Sequence, residues 1–304
     1  MTAGIPEKLK ECGLGVKTDA PMKDYTTFGA GGCAAVLATA DSEEALTAAV
    51  DMLEETQTDW FLLGNGSNIL VADAGYDGVM LKLGEGFERI ITDKTKIIAG
   101  GAVMLSKVAR AAETESLTGL EFASGIPGTV GGAVTMNAGA YDGEMRDVVT
   151  EARIYFPGKG VETLKTEELH FGYRHSVLKE ERGVLISAVL GLQFGIKKDI
   201  IDKVAELTRR RREKQPLEYR SAGSTFKRPE GSFAGKLIME AGLAGYTCGG
   251  ACVSEKHCGF IINRENATAS DIYEVIKTVQ GRVKEHSGYE LEPEVILLGD
   301  FSKK

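Results

Sequence analysis

Two long glycine loops limit what this chain can fold into more than any other feature. Between Ser124 and Gly143 it reads SGIPGTVGGAVTMNAGAYDG, six glycines in twenty residues, and upstream LGNGSNILV runs from Leu63 to Val71. Without a β-carbon, backbone can approach a ligand closely and take positive φ, so successive N–H groups can turn inward as a concave anion site. One such loop reads equally well as a tight strand connection. Two in one chain point to a large phosphate-bearing ligand. Glycine makes up 38 of the 304 residues, well above the usual share of about 7%, so the excess needs a local cause.

That length exceeds one hydrophobic core and predicts two or three domains. The formal charge is −8, from 36 basic and 44 acidic residues, which excludes a nucleic-acid binder because phosphate-backbone binding rests on a basic surface. An anionic ligand must therefore be met by local groups. The opening MTAGIPEKLKECG has no signal-peptide pattern, and no run approaches the ~20 apolar residues of a membrane span. A cytoplasmic protein with no membrane partner is expected, with a monomer as the default.

Five cysteines, Cys12, Cys33, Cys248, Cys252 and Cys258, are an odd number in a chain without an export signal, so free thiols are expected. The cluster Cys248, Cys252, His257 and Cys258 lacks the paired C-x-x-C knuckles of structural zinc and reads as small buried thiols. No metal is expected.

Helix and strand patterns alternate. DSEEALTAAVDMLEE, with Asp41 as a cap, places Leu46, Ala49, Val50 and Leu53 on one helical face. Short apolar runs at Trp60 to Leu63 and Gly78 to Leu83 flank the first glycine loop as strands. A helix follows Ser106, and strands are expected at Ala152 to Phe156 and Val184 to Phe194. DIIDKVAELTRRRREK, capped by Asp199, reads as a helix whose Arg209 to Arg212 form a solvated basic end. Pro216 stops it. SFAGKLIMEAG then predicts a short helix, GGACVSEKHCGFIIN a turn and strand, and SDIYEVIKTVQGRVKEH a helix with Ile272, Val275, Ile276, Val279 and Val283 at helical spacing. The alternation indicates an α+β fold, with a boundary near residues 213 to 220.

Gly29-Ala30-Gly31-Gly32-Cys33-Ala34 imitates a dinucleotide fingerprint, but it follows polar KDYTTF rather than an apolar strand, and Asp41 comes too early to be the acid expected about twenty residues on and reads better as a helix cap. The diagnostic feature is the order TTFGAGG, LGNGSNILV, SGIPGTVGGAVTMNAGAY, GYRHS, SAGSTFKRP, VSEKHCGFIIN, LEPEV. From about Thr26 to Val295 it closely resembles the UDP-N-acetylenolpyruvoylglucosamine reductases, flavoproteins of bacterial cell-wall (peptidoglycan) precursor synthesis. The 50 residues from Arg174 to Ser224 resemble the shorter subclass of that family.

The resemblance implies a two-lobed FAD-binding domain of the vanillyl-alcohol-oxidase (PCMH) type, with lobes 1–83 and 84–212, followed by a smaller α+β substrate-binding domain at 213–304. It implies FAD, NADPH as reductant and a UDP-sugar as substrate. The FAD would lie against Gly64, Asn65, Gly66, Ser67 and Asn68, and against Ser124, Gly125, Ile126, Pro127, Gly128, Gly131, Gly132, Asn137, Ala138 and Gly139. Neither loop holds a His or Cys where relatives in the superfamily attach flavin covalently, so non-covalent FAD is expected.

In the implied reaction NADPH reduces the flavin, which passes hydride to the terminal carbon of an enolpyruvyl ether, pushing charge onto the adjacent carbon and its carboxylate. Three residues match the family's catalytic set. Arg174 in GYRHS would fork two donors onto the carboxylate. Glu294, the second glutamate of LEPEV, is compatible with a nearby substrate carboxylate only if protonated or charge-paired. Ser224 in SAGSTF would protonate the enolate carbon. By resemblance, motif position or charge, Lys214, Lys227, Arg228, Lys256 and His257 are expected to meet substrate. The chain departs from the family pattern at Arg228, where an asparagine is usual, and at Cys258, where an alanine is usual. Two alternatives stay open: a non-covalent flavin oxidase of the same fold, and a non-catalytic nucleotide-sugar binder.

Overall fold

The computed structural model describes residues 4–302, which divide into two compact units interleaved along the chain. The first contains Leu37–Asn65 and Val79–Arg211 with the N-terminal residues up to Lys17; the second contains Thr18–Val36, Gly66–Gly78 and the chain from Arg212 onward.

The first unit is built on an antiparallel five-stranded sheet, in the order Gly160–Lys165, Val149–Phe156, Val184–Gly191, Lys96–Gly100, Ile90–Asp93. Ile97, Ala99, Ala152, Ile154, Leu185 and Ala188 are buried in one core with Leu105 and Val108 of helix Leu105–Thr114 and Val130 and Val134 of helix Val130–Thr135. The helix Glu43–Glu55 buries Leu46, Ala49, Val50 and Leu53 as expected, but its cap is Ser42, whose Oγ accepts the Ala45 N–H at 3.2 Å. Asp41 instead accepts the Glu85 N–H at 3.0 Å. Two contacts join this helix to the five-stranded sheet: Arg153 pairs with Glu43, and the Tyr155 hydroxyl donates to Asp51. Burial and that carboxylate hold the phenol far above its usual range.

Helix Lys197–Lys214 starts two residues before Asp199, which therefore lies in its first turn rather than at its cap. Strand Trp60–Leu62 runs parallel to Tyr76–Leu83 with Trp60 opposite Val79. These two close a four-stranded sheet in which Gly15–Pro21 and Cys33–Ala40 precede them.

In the second unit a small antiparallel sheet has the order Arg220–Ser221, Ile261–Asn263, Ala251–Val253, Thr247–Cys248. GGACVSEKHCGFIIN thus supplies two strands where the sequence suggests one, because the KHCG turn reverses the chain between them. Helix Ala269–Ser287 buries Ile272, Val275, Ile276, Val279 and Val283 in the core of this unit, beside Leu237 and Ile238 of helix Ala234–Glu240. Ile69–Val71 pairs in parallel with Ile296–Leu298.

The glycines of the false fingerprint are close-approach positions within this unit. A β-carbon on Gly32 would stand 2.2 Å from the Asp73 carbonyl oxygen, and Gly31 adopts φ +112°. Cys12, Cys33, Cys248, Cys252 and Cys258 are all free thiols, with Cys252 and Cys258 buried. Among the described residues no helix is long and apolar enough to cross a membrane.

Candidate active site

The two glycine loops meet in the first unit. The Asn65 side-chain amide donates to the Pro127 carbonyl at 2.6 Å. A β-carbon on Gly64 would come 2.9 Å from Thr129 Oγ1, and one on Gly131 3.0 Å from the Gly101 carbonyl oxygen. A side chain at either position would force its neighbour to shift. Ser124 turns its hydroxyl onto the Glu121 carbonyl at 2.8 Å, and Thr129 caps the following helix by accepting the Gly132 N–H at 3.2 Å. Among the described residues the backbone N–H groups of Gly64, Asn65, Gly128 and Thr129 have no protein acceptor. Unsatisfied donors on close-packed glycine backbone form a cradle for an anion, and this fits the pyrophosphate of FAD.

Farther along the second loop, Asn137 is 1% exposed. Its amide donates to Glu144 at 3.0 Å and to the Gly172 carbonyl at 3.1 Å, and its Oδ1 accepts the Arg146 N–H at 2.9 Å. Its side chain therefore organises the protein, with φ +40° at its own backbone. Ala138 packs against the core, and Gly139 pairs with Glu144 in a two-residue ladder. Ile126 also packs against that core.

Sequence reasoning treats Arg209 to Arg212 as one solvated end, and the structure separates them. Arg210 pairs with Glu206 along the helix. Arg211 is half-buried with its guanidinium against the second loop: a β-carbon on Gly125 would lie 2.7 Å from its Nη1. Burial lowers its pKa.

Arg174 also lies in the first unit, half-buried at φ +55° with its guanidinium 5.2 Å from the Tyr173 ring centroid. Its carbonyl accepts from Lys179 at 3.2 Å.

In the second unit one buried residue brings three motifs together. The Thr225 N–H donates to the Gly259 carbonyl at 2.8 Å, its carbonyl accepts the Glu294 N–H at 2.8 Å, and its Oγ1 accepts the Ile261 N–H at 3.1 Å. Phe226 bridges Pro293, and the Lys227 N–H donates to the Glu292 carbonyl at 2.8 Å. SAGSTF, KHCGF and LEPEV are thereby held as neighbours. Ser224 follows Gly223 at φ +76° and its hydroxyl donates to the Phe226 carbonyl at 3.3 Å. Asn68, expected at the cofactor, donates to the Glu294 carbonyl at 3.1 Å. Gly66 is pressed onto the second unit's own backbone, where a β-carbon would meet the Tyr25 carbonyl oxygen at 2.0 Å. Ser67 lies between them, half-buried.

His257 lies on the bare backbone of Gly259, which donates its N–H to Nδ1 at 3.1 Å. That bond places the ring proton on Nε2, and burial lowers the pKa. His257 is therefore a neutral donor rather than the cation its place beside Lys256 suggests. A β-carbon on Gly259 would come 2.9 Å from His257 Cε1 and 3.5 Å from Ser224 Oγ, so ring and hydroxyl flank one glycine. Lys227 pairs with Glu292, Lys256 with Glu218 at 3.5 Å, and Arg228 stacks 4.1 Å over Phe233. Lys214 is exposed.

Residues 34–164 match the FAD binding domain family, and residues 215–298 match the UDP-N-acetylenolpyruvoylglucosamine reductase C-terminal domain. With the donor-lined cradle, these matches define the class: an FAD-dependent oxidoreductase of mixed α+β fold. A protein from Clostridium botulinum strain Eklund 17B, named UDP-N-acetylenolpyruvoylglucosamine reductase, is 47% identical over 94% of this chain and 93% of its own length. One of the same name from Caldanaerobacter subterraneus is 47% identical over 97% of each chain. The crystal structure of the enzyme from Thermus caldophilus covers 94% of this chain and 99% of its own, at 36% identity and a TM-score of 0.80. The chain belongs to the UDP-N-acetylenolpyruvoylglucosamine reductase family.

Proposed function

We propose that this protein reduces UDP-N-acetylglucosamine enolpyruvate to UDP-N-acetylmuramate with NADPH, acting as a cytoplasmic monomer in peptidoglycan precursor synthesis. Residues 1–83 and 84–212 would form the two FAD-binding lobes and 213–304 the substrate-binding domain. The observation that carries the reading is that likeness to relatives of this name runs through both the FAD-binding segment and the C-terminal segment.

The N–H groups of Gly64, Asn65, Gly128 and Thr129 would hold the FAD pyrophosphate. Bound FAD supplies a two-electron relay between NADPH and the enolpyruvyl double bond. The protein's part is to receive the charge that develops on the substrate. Arg174 would present a planar fork to the substrate carboxylate, where charge grows as the terminal carbon accepts hydride. Ser224 Oγ would give its proton to the carbon bearing the ether oxygen; its hydrogen bond in the structure is a weak one to a neutral carbonyl, which leaves the proton available. Glu294, fixed through its backbone by Thr225 and Asn68, would meet a substrate carboxylate only as a protonated or charge-paired group, because two bare carboxylates repel. Lys214, Lys227, Arg228 and Lys256 would offset the substrate phosphates, and His257 would add a neutral N–H.

The purified protein, given NADPH and the enolpyruvyl substrate without oxygen, should form UDP-N-acetylmuramate, seen by mass spectrometry as a gain of two hydrogens. Oxygen-dependent turnover of an alcohol instead would favour a flavin oxidase. Substrate binding without product would favour a nucleotide-sugar binder.

A further inference from the structure

Arg211 turns its guanidinium onto a cofactor loop, and its surroundings are unusual for a cation. Among the described residues it makes no hydrogen bond, ion pair or ring contact. The guanidinium lies over Gly125, where a β-carbon would come 2.7 Å from Nη1, 3.1 Å from Cδ and 3.5 Å from Cζ. Any larger residue at 125 would displace the guanidinium. Removing a cation from water without a partner is costly, and five N–H donors in a fixed fork match phosphate oxygens in particular. A place at the end of helix Lys197–Lys214 explains a positive charge. It does not explain why this arginine is drawn inward while Arg210 meets Glu206 and Arg212 is exposed.

We infer that Arg211 is a ligand of the FAD pyrophosphate, closing over Gly125 the anion site whose backbone donors come from Gly64, Asn65, Gly128 and Thr129. The inference rests on the FAD reading of the loops. It assigns the cofactor's charge to a side chain that neither loop contains. The only other negative charge FAD offers is on its reduced ring, since the oxidised ring is neutral, and the two redox states separate these sources.

The test follows FAD release from holoenzyme on dilution, read by recovery of free flavin fluorescence for the oxidised form and by residual bound flavin for the anaerobically reduced form. Arg211→Met should weaken FAD binding about ten- to a hundredfold, the range of one charge-assisted contact, by the same factor in both redox states. Arg211→Lys should recover part of the loss. Salt should speed release from the wild type more than from Arg211→Met, because an ion pair is screened and a thioether contact is not. The FAD-free Arg211→Met protein should melt no lower than FAD-free wild type, since an unmatched cation has been removed; a purely structural arginine would lower it. Unchanged release, weakening confined to reduced FAD, or a lower melting temperature without FAD would each overturn the assignment. Wild-type protein isolated and reconstituted without any bound flavin would instead refute the FAD reading itself.

Discussion

Thr225 carries no reacting atom, yet three chain segments depend on it. Its N–H and carbonyl bond to Gly259 and Glu294 and its hydroxyl to Ile261, so one fully buried residue holds the segments of Ser224, His257 and Glu294 together. His257 is the residue in this group whose charge state can be read by titration. Its pKa is lowered from 6.5 mainly by burial, so between its folded and unfolded values the unfolded chain binds more protons. Its contribution is therefore free of penalty above about pH 6.5 and is lost as pH falls toward the folded value. His257→Gln should remove this component: the drop in urea-unfolding stability between pH 7.5 and 5.5 should be smaller in the variant than in the wild type. An equal drop in both would mean that the ring protonates as freely in the folded protein as in the unfolded chain.

At the scale of elements, helix Ala269–Ser287 owes its N-terminus to two sources. Thr268 and Asp271 form a local capping box, and the distant Asp73 accepts the Ala269 and Ser270 N–H groups, each at 2.8 Å. Asp73→Ala should cost about 1 kcal/mol, the usual value of a lost cap, measured by urea unfolding; no loss would show that the local box suffices. The box is legible in the sequence and Asp73 is not, and the same contrast runs through the molecule. Ile272 to Val283 announce a buried face by spacing alone, because helical period is a local property. Ser42 rather than Asp41 caps helix Glu43–Glu55 because Asp41 is engaged by Glu85, a contact no local pattern contains. The glycine loops are legible as an anion cradle because missing β-carbons are visible in the letters. Their junction through Asn65 and Pro127, the commitment of Asn68 to Glu294, and the inward turn of Arg211 arise only when distant segments pack. Asn137 shows the opposite limit: its motif suggests a ligand contact, while its amide serves the loop's own fold.

At the scale of the whole molecule, the chain is expected to run two half-reactions, one accepting electrons from NADPH and one giving them to the enolpyruvyl substrate. The proton donor is needed in only the second. Stopped-flow absorbance under anaerobic conditions, with wild type and Ser224→Ala, separates them. Flavin bleaching by NADPH should be nearly the same in both proteins. Return of the oxidised flavin spectrum on mixing with UDP-N-acetylglucosamine enolpyruvate should be prompt in the wild type. In Ser224→Ala it should slow by at least the ~10²–10⁴ typical of a general acid. Equal slowing of both phases would make Ser224 a structural residue, and a reduced wild-type flavin that never reoxidises with this substrate would contradict the function proposed here.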